Sequence, residues 1–238
     1  MTTPNAEPSL RRRARIAGLL YLLSSIPGAF CLIYVPSRFL VRGNAAATAD
    51  RILSAQLLFR LGIVCELASF VGFIFVVRAL YRLFKGVDQT QASLMVTLML
   101  ISLPVSFVNV VNEIAALILV RGTDYLAVFD KAQREALAML FLDLHFHGFM
   151  VAQVFWGLWL FPFGILVMRS RFLPRFLGIL LIIAMFGYLA GSLSAWHLLP
   201  HGDPLSQLTA CELPIILWLL IFGAKEQPLA LPVPSPAS

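Results

Sequence analysis

Several side chains capable of acid–base or metal chemistry lie inside long apolar stretches of this sequence. Asp143, His145 and His147 fall within the run 137–168, which is otherwise almost entirely apolar. An ionised Asp, Lys or Arg at the centre of a membrane helix costs roughly 2.5–3.5 kcal/mol on insertion scales. Such residues therefore usually face a protein interior, a cavity or the interface, where carboxylates and imidazoles can exchange protons or bind ions.

Nine polar residues from four apolar runs make up the candidate site. They are Arg60, Glu66, Asn109, Asn112, Glu113, Asp143, His145, His147 and Glu212. Helical residues three and four positions apart share a face, so Glu113 and the two asparagines point the same way. By the same spacing Asp143 and His147 share a face, while His145 points roughly the opposite way. We therefore expect one of the histidines to join Asp143 in an inward cluster.

The ionisable members of this set need partners within the protein. Arg60 and the four acids would together cost on the order of 15 kcal/mol if left alone at depth, comparable to a domain's stability of about 5–15 kcal/mol. We therefore expect a wet, hydrogen-bonded pocket in which Arg60 pairs with at least one acid. The alternative is that these polar groups only hold the helices together.

The composition predicts the elements that must position these residues. Of the 238 residues, 60% are hydrophobic and only 13% are charged, and the mean hydropathy is +0.87. Soluble domains have about 45–50% apolar and about 25% charged residues. We predict an all-α, polytopic transmembrane helical bundle at 15–224, with a basic disordered tail at 1–14 and a proline-rich disordered tail at 225–238.

Six apolar runs are long enough to cross a bilayer core of about 30 Å, which takes about 20 helical residues. The expected helices cover 16–35, 48–77, 91–120, 137–169, 175–195 and 205–222. An interfacial helix at 123–136, capped by Thr123, is expected to lead into the fourth run. We interpret His197, His201 and Asp203, between the last two runs, as exposed loop residues.

The basic residues predict the orientation of the six spans. Eleven lie on the side of the two termini, at 11–15, 78–85, 169–175 and 225, and six lie on the opposite side. Because basic residues favour the cytoplasmic side, both termini are predicted to be cytoplasmic. With this orientation the nine polar residues all fall in the extracytoplasmic half of the membrane.

Other chemistries find little support in the sequence. The net charge of +6 is explained by this orientation, so no nucleic-acid partner is expected. Cys31, Cys65 and Cys211 lack metal-binding spacing and are interpreted as buried apolar side chains. There is no phosphate-binding glycine loop, no haem-type pair and no serine nucleophile motif, so we expect no cofactor and favour a non-enzymatic role.

Short pieces spread along the chain carry a family resemblance. They are 45–49 (AAATA), 58–62 (LFRLG), 142–145 (LDLH) with Gly148, 172–174 (FLP) with Leu177 and Gly178, and 187–189 (GYL). Together they resemble the bacterial multi-span membrane family known as domain of unknown function 4386, over residues 14–223. The resemblance implies a bacterial inner-membrane protein and supplies no activity. Its most specific parts are the segment of Arg60 and the segment that contains Asp143 and His145. As candidate site residues, Asp143 and His145 are therefore favoured over His147.

Three functions remain open on the sequence. The favoured one is binding or transport of a small solute or lipid through an outward-facing pocket. The second is an intramembrane metal-dependent hydrolase. Zinc would be held by Asp143, by His145 or His147, and by Glu113 or Glu212. The spacing of these residues does not match the HExxH motif, so no metal site is assigned. The third is a structural subunit, and the spacing of Gly187 and Gly191 would suit close helix contact within the chain or in a homo-oligomer.

Overall fold

The computed structural model describes residues 9–198 and 204–225, and that part of the chain is all-α, as predicted. Its α-helices are α1 (Leu10–Ala29), α2 (Val35–Phe39), α3 (Ala45–Ser54), α4 (Gln56–Phe84), α5 (Gln89–Arg121), α6 (Lys131–Leu158), α7 (Leu160–Arg169), α8 (Arg175–Ala195) and α9 (Leu213–Ile221). A π-helical turn (Phe30–Tyr34) and two 3-10 segments (Asp124–Leu126 and Pro204–Glu212) complete the described structure.

Six of the helical stretches are long and apolar enough to cross a membrane. We number them spans 1 to 6: Leu10–Phe39, Gln56–Phe84, Gln89–Arg121, Lys131–Arg169, Arg175–Ala195 and Pro204–Ile221. The predicted six-span, multi-pass membrane architecture is confirmed. Residues 1–8 and 226–238, which were expected to be disordered, lie outside the described part, as do His201 and Asp203.

The beginnings of three helices differ from the predicted positions. Helix α1 begins at Leu10, inside the expected tail, because the Ser9 side chain accepts a hydrogen bond from the backbone N–H of Arg12 at 3.4 Å. The interfacial helix at 123–136 was wrong, because Asp130 forms a capping box with Gln133 and starts α6 at Lys131. The expected second helix is divided at Ala55, where φ is −138° and ψ is 45°.

Prolines explain two irregular places inside the spans. In span 1, Pro27 removes a backbone donor near the end of α1, and the chain continues as the π-helical turn Phe30–Tyr34. In span 4, Pro162 has no N–H to offer the carbonyl of Leu158, and the helix is interrupted at Trp159. Both irregular places lie beside the cavities described below.

Span 6 is less regular than the sequence predicts. Its first nine residues, Pro204–Glu212, form a 3-10 helix, and only Leu213–Ile221 is α-helical. The 3-10 segment packs against α8 at Gly187, where an added Cβ would lie 2.6 Å from the backbone N of Thr209. The close contact that the glycine spacing permits is therefore made within the chain at Gly187.

The bundle has a close-packed hydrophobic core toward the end that carries the termini. Trp159, Tyr21, Phe84 and Phe163 are among its largest fully buried side chains. At this end Arg169 Nη1 lies 2.5 Å from Asp88 Oδ2, and the backbone N–H of Lys225 donates to the carbonyl of Phe172 at 3.0 Å. These contacts join three chain segments that the predicted topology places on one side of the membrane.

The crossing of α7 and α8 depends on two glycines and yields a test of the packing. A Cβ on Gly178 would lie 2.5 Å from the carbonyl oxygen of Gly164, so Gly178→Ala must push the two helices apart. Overpacking of this kind costs about 1–3 kcal/mol. We expect a lower midpoint of thermal unfolding, followed by tryptophan fluorescence in detergent. Gly86→Ala is the matched control, because nothing lies within 4 Å of its added Cβ; equal midpoints for the two variants would contradict the assignment.

Candidate intramembrane polar site

Three ionisable side chains from α4, α5 and α6 meet inside the bundle. His145 Nε2 lies 3.7 Å from Glu66 Oε2 and 3.8 Å from Glu113 Oε1. Glu66 is 4% exposed and Glu113 is 9% exposed, while the His145 side chain is 15% exposed. We call these three residues the carboxylate–histidine cluster. Each comes from a different helix, so the bundle itself holds the groups together.

Asn109 fixes the orientation of His145. Its Nδ2 donates to the backbone carbonyl of His145 at 2.8 Å, and the ring Nδ1 of His145 lies 3.3 Å from the carbonyl oxygen of Asn109. Asn112 Nδ2 in turn donates to Oδ1 of Asn109 at 3.1 Å. Helix α6 can approach this closely because residue 148 is glycine: a Cβ there would overlap the Asn109 side chain.

A second polar group surrounds Glu212. One of its carboxylate oxygens accepts a hydrogen bond from Tyr21 Oη, and the other accepts one from Tyr188 Oη at 2.6 Å. Glu212 is 8% exposed, and the two tyrosine hydroxyls compensate the cost of burying its carboxyl. The sequence predicted this residue in one pocket with the other eight candidates. We call these three residues the tyrosine–glutamate group. A tyrosine hydroxyl in an apolar helix needs a partner as a carboxylate does, and that signal was available in the sequence.

Two cavities adjoin these groups. The smaller, of about 500 Å³, is bordered by Glu66 and by the tyrosine–glutamate residues Tyr188 and Glu212. The larger, of about 820 Å³, is bordered by Glu113, Asp143, His145 and His147. The carboxylate–histidine cluster therefore contributes one residue to the first cavity and two to the second.

The structure separates Asp143 and His147 from the inward cluster. Both are exposed at the wall of the larger cavity, and His147 Nδ1 is 2.8 Å from the backbone oxygen of Asp143. His145 is the inward histidine, and its neighbours are Glu66 and Glu113 rather than Asp143. The expected pairing of one histidine with Asp143 was wrong, because α6 presents the face of His145 to α4 and α5.

Arg60 also departs from its expected role. It is exposed, and it has no ion-pair partner among residues 9–198 and 204–225. Arg60 is only four residues from the start of α4 at Gln56, so its long side chain can reach the interface without an acid. The prediction that Arg60 pairs with a buried acid was wrong.

Comparison with known families covers nearly the whole described chain. The model of the family described as domain of unknown function (DUF4386) matches residues 16–223. The chain belongs to this family. Comparisons with curated proteins and with solved structures find no match. The DUF4386 match includes the carboxylate–histidine cluster and all three members of the tyrosine–glutamate group, so both lie within the family domain.

The coupling of Gly148 to Asn109 gives a test of the site in this DUF4386 chain. Gly148→Ala should displace the Asn109 side chain and lose its bond to His145, lowering stability by about 1–3 kcal/mol. In an Asn109→Ala background the overlap is gone, so the same substitution should lower stability much less. The four unfolding free energies form a double-mutant cycle. Additive effects would mean that the two residues are not coupled in this way.

Proposed function

We propose that this protein binds a small amphiphilic molecule, and moves it within or across the membrane, through the cavity between spans 1 and 6. The observation that carries the proposal is a cavity of about 500 Å³ with an apolar wall and two buried glutamates, Glu66 and Glu212. Ligand pockets commonly have volumes of about 300–1,000 Å³ and a few convergent polar groups in an apolar wall.

The opening of this cavity supports a ligand that arrives from the lipid. Its rim includes Leu32, Ile33 and Leu213, which are large apolar residues with 41%, 71% and 57% exposure. Span 1 and span 6 are close together at the end of the bundle that carries the termini, where Arg15 Nη2 donates to the carbonyl of Ile221 at 2.9 Å. The irregular stretches Phe30–Tyr34 and Pro204–Glu212 belong to the same two spans but lie farther from the termini, and both contribute residues to the cavity wall.

The wall of the cavity favours a hydrogen-bond donor or a cation at one end of the ligand. Six aromatic side chains line it: Phe70, Phe73, Phe149, Trp156, Trp159 and Tyr188. Aromatic faces attract cations, and a carboxylate can accept about four hydrogen bonds, two more than Glu212 receives from the tyrosines. An apolar molecule with an amine end has the matching chemistry.

The packing between the cavity and the end that carries the termini supports ligand binding more directly than movement of a ligand through the bundle. The Tyr21 ring lies 5.9 Å from that of Trp159, which in turn lies 5.5 Å from that of Phe163. These rings close the bundle toward the termini, so a transported ligand would require this aromatic layer to move. We propose a bacterial inner-membrane location with both termini cytoplasmic, which makes the cavity accessible from the outer leaflet.

Ligand binding can be tested with octylamine and its neutral counterpart octanol. In nanodiscs, octylamine should change the fluorescence of the tryptophans beside the cavity in a saturable way, whereas octanol should bind at least tenfold more weakly. Glu212→Gln removes the negative charge, so the amine affinity should fall about tenfold, which corresponds to about 1.4 kcal/mol. His147→Gln, outside this cavity, is the control. Equal affinities for amine and alcohol in the unaltered protein would refute the cationic preference.

The proposed orientation can be tested with a green fluorescent protein fused after Ser238. This reporter fluoresces when it folds in the cytoplasm, and the predicted topology places the C-terminus there. We expect bright cells, and dark cells with an alkaline phosphatase fusion at the same position. The opposite pair of results would reverse the orientation of the bundle.

A further inference from the structure

The carboxylate–histidine cluster has the composition and spacing of a metal-binding site. One ligand atom each from Glu66, Glu113 and His145 can be chosen so that all three lie within 4.8 Å of one another. A tetrahedral zinc ion with ligands at 2.0–2.2 Å holds its ligand atoms about 3.4 Å apart. The separations of 3.7 and 3.8 Å from His145 Nε2 are a few tenths of an ångström wider, which small side-chain rotations can close.

Two buried carboxyl oxygens without hydrogen-bond partners in the described chain are a second, independent observation in favour of a bound cation. Glu66 Oε1 and Glu113 Oε2 are buried and have no hydrogen-bond partner among the described residues. Glu66 is more than nine-tenths buried, and its carboxyl faces the other two members of the cluster. Buried carboxylates without partners are strongly unfavourable, and coordination of a metal is one of the ways in which proteins compensate them.

The environment of His145 suits a metal ligand. Its Nδ1 lies 3.3 Å from the backbone carbonyl oxygen of Asn109, so a proton on Nδ1 leaves the lone pair of Nε2 directed toward the two glutamates. Metal-binding histidines characteristically donate their second ring N–H to a carbonyl or a carboxylate. Asn109 Nδ2 donates to the carbonyl of His145 at 2.8 Å and lies 3.3 Å from the same Nδ1, so a metal-bound His145 would direct its Nδ1 proton to the Asn109 carbonyl and not toward this amide nitrogen.

Charge balance selects a divalent cation. Two carboxylates and a neutral imidazole carry a charge of −2, which a divalent ion neutralises inside the membrane. One nitrogen and two oxygen donors suit zinc, manganese or iron. The thiol of Cys31, which lines the smaller cavity, instead donates to the carbonyl of Gly62 at 3.1 Å. Both cavities border the cluster, so an ion there would keep a coordination position open to a cavity.

We propose that Glu66, Glu113 and His145 bind one divalent transition-metal cation, zinc fitting best, with an open coordination position at the boundary of the two cavities. The proposal does not depend on amphiphile binding. Zinc binding can therefore succeed where the octylamine experiment fails, and the reverse also holds.

The test uses the full chain in nanodiscs, stripped with a chelator and then loaded with zinc alone. Mass spectrometry of the metal content should find about one zinc per chain after dialysis. Glu66→Gln, Glu113→Gln and His145→Gln should each weaken zinc binding about tenfold or more, and Asn109→Ala, which releases the ring, about 10–100-fold. Cobalt in place of zinc should give the visible absorption of a tetrahedral site, lost in the same variants.

Two matched controls separate ligation from general effects. Glu135→Gln removes a buried carboxyl from the same helix as His145 but outside the cluster, and His147→Gln removes an exposed histidine two residues along that helix. Both should retain about one zinc per chain. Less than about a fifth of a zinc per chain in the unaltered protein would overturn the proposal, as would equal losses in cluster and control variants.

If the cluster variants fail to fold, the unaltered protein still decides the question. X-ray absorption of the zinc-loaded chain should show one imidazole nitrogen and two or three oxygens at about 2.0–2.1 Å, with no sulfur. A sulfur-containing shell, or a shell of several imidazoles, would place the zinc elsewhere and refute this site.

Discussion

Glu66, Glu113 and Glu212 are buried away from the ends of their spans, and the need to compensate these three carboxyls constrains the whole bundle. Lipid offers no hydrogen bonds, so each carboxyl must find its partners on other helices. Glu66 and Glu113 are brought to His145 by α4, α5 and α6, while Glu212 is brought to tyrosines of α1 and α8. Five helices and the 3-10 segment therefore meet around these carboxyls, and a change in their relative positions would separate the carboxyls from these partners.

The two polar groups satisfy this constraint in different ways. Each oxygen of Glu212 accepts one tyrosine hydroxyl. Glu66 and Glu113 each retain an oxygen without a partner among the described residues. The first group thus resembles a structural anchor that can also present negative charge to a cavity, and the second keeps acceptor oxygens that no described donor uses. Burial alone does not distinguish them, but their hydrogen bonds do.

The sequence predicted the elements well because lipid imposes a simple rule on composition. Length and hydropathy gave six spans, and α8 has the expected bounds Arg175–Ala195. The ends of the helices were harder to predict, because several polar residues near a helix start can act as the N-cap. Asp130, and not Thr123, caps α6. The interruption at Ala55 has no strong local signal, whereas Pro162 marks the one at Trp159.

The candidate site could be predicted only in part, for a geometrical reason. Helical spacing identifies residues that share a face, but it does not say which face turns inward. For α6 the inward face carries His145, so the Asp143–His147 pair is left at the rim of a cavity. Glycines that permit close approach, such as Gly148, determine this choice, and their contacts become visible only when two helices are placed together. The tyrosine partners of Glu212 come from spans far apart in sequence, which no local pattern connects.

The 3-10 segment Pro204–Glu212 has a mechanical consequence. A 3-10 helix rises about 2.0 Å per residue and an α-helix about 1.5 Å, and 3-10 runs longer than three or four residues are uncommon. Rewinding these nine residues into an α-helix would shorten them by about 4–5 Å and swing Glu212 away from its hydroxyl donors. The hydroxyls of Tyr21 and Tyr188 thus hold the 3-10 segment in its extended form. Loss of these two hydrogen bonds would let the segment shorten and would change the width of the smaller cavity beside span 1.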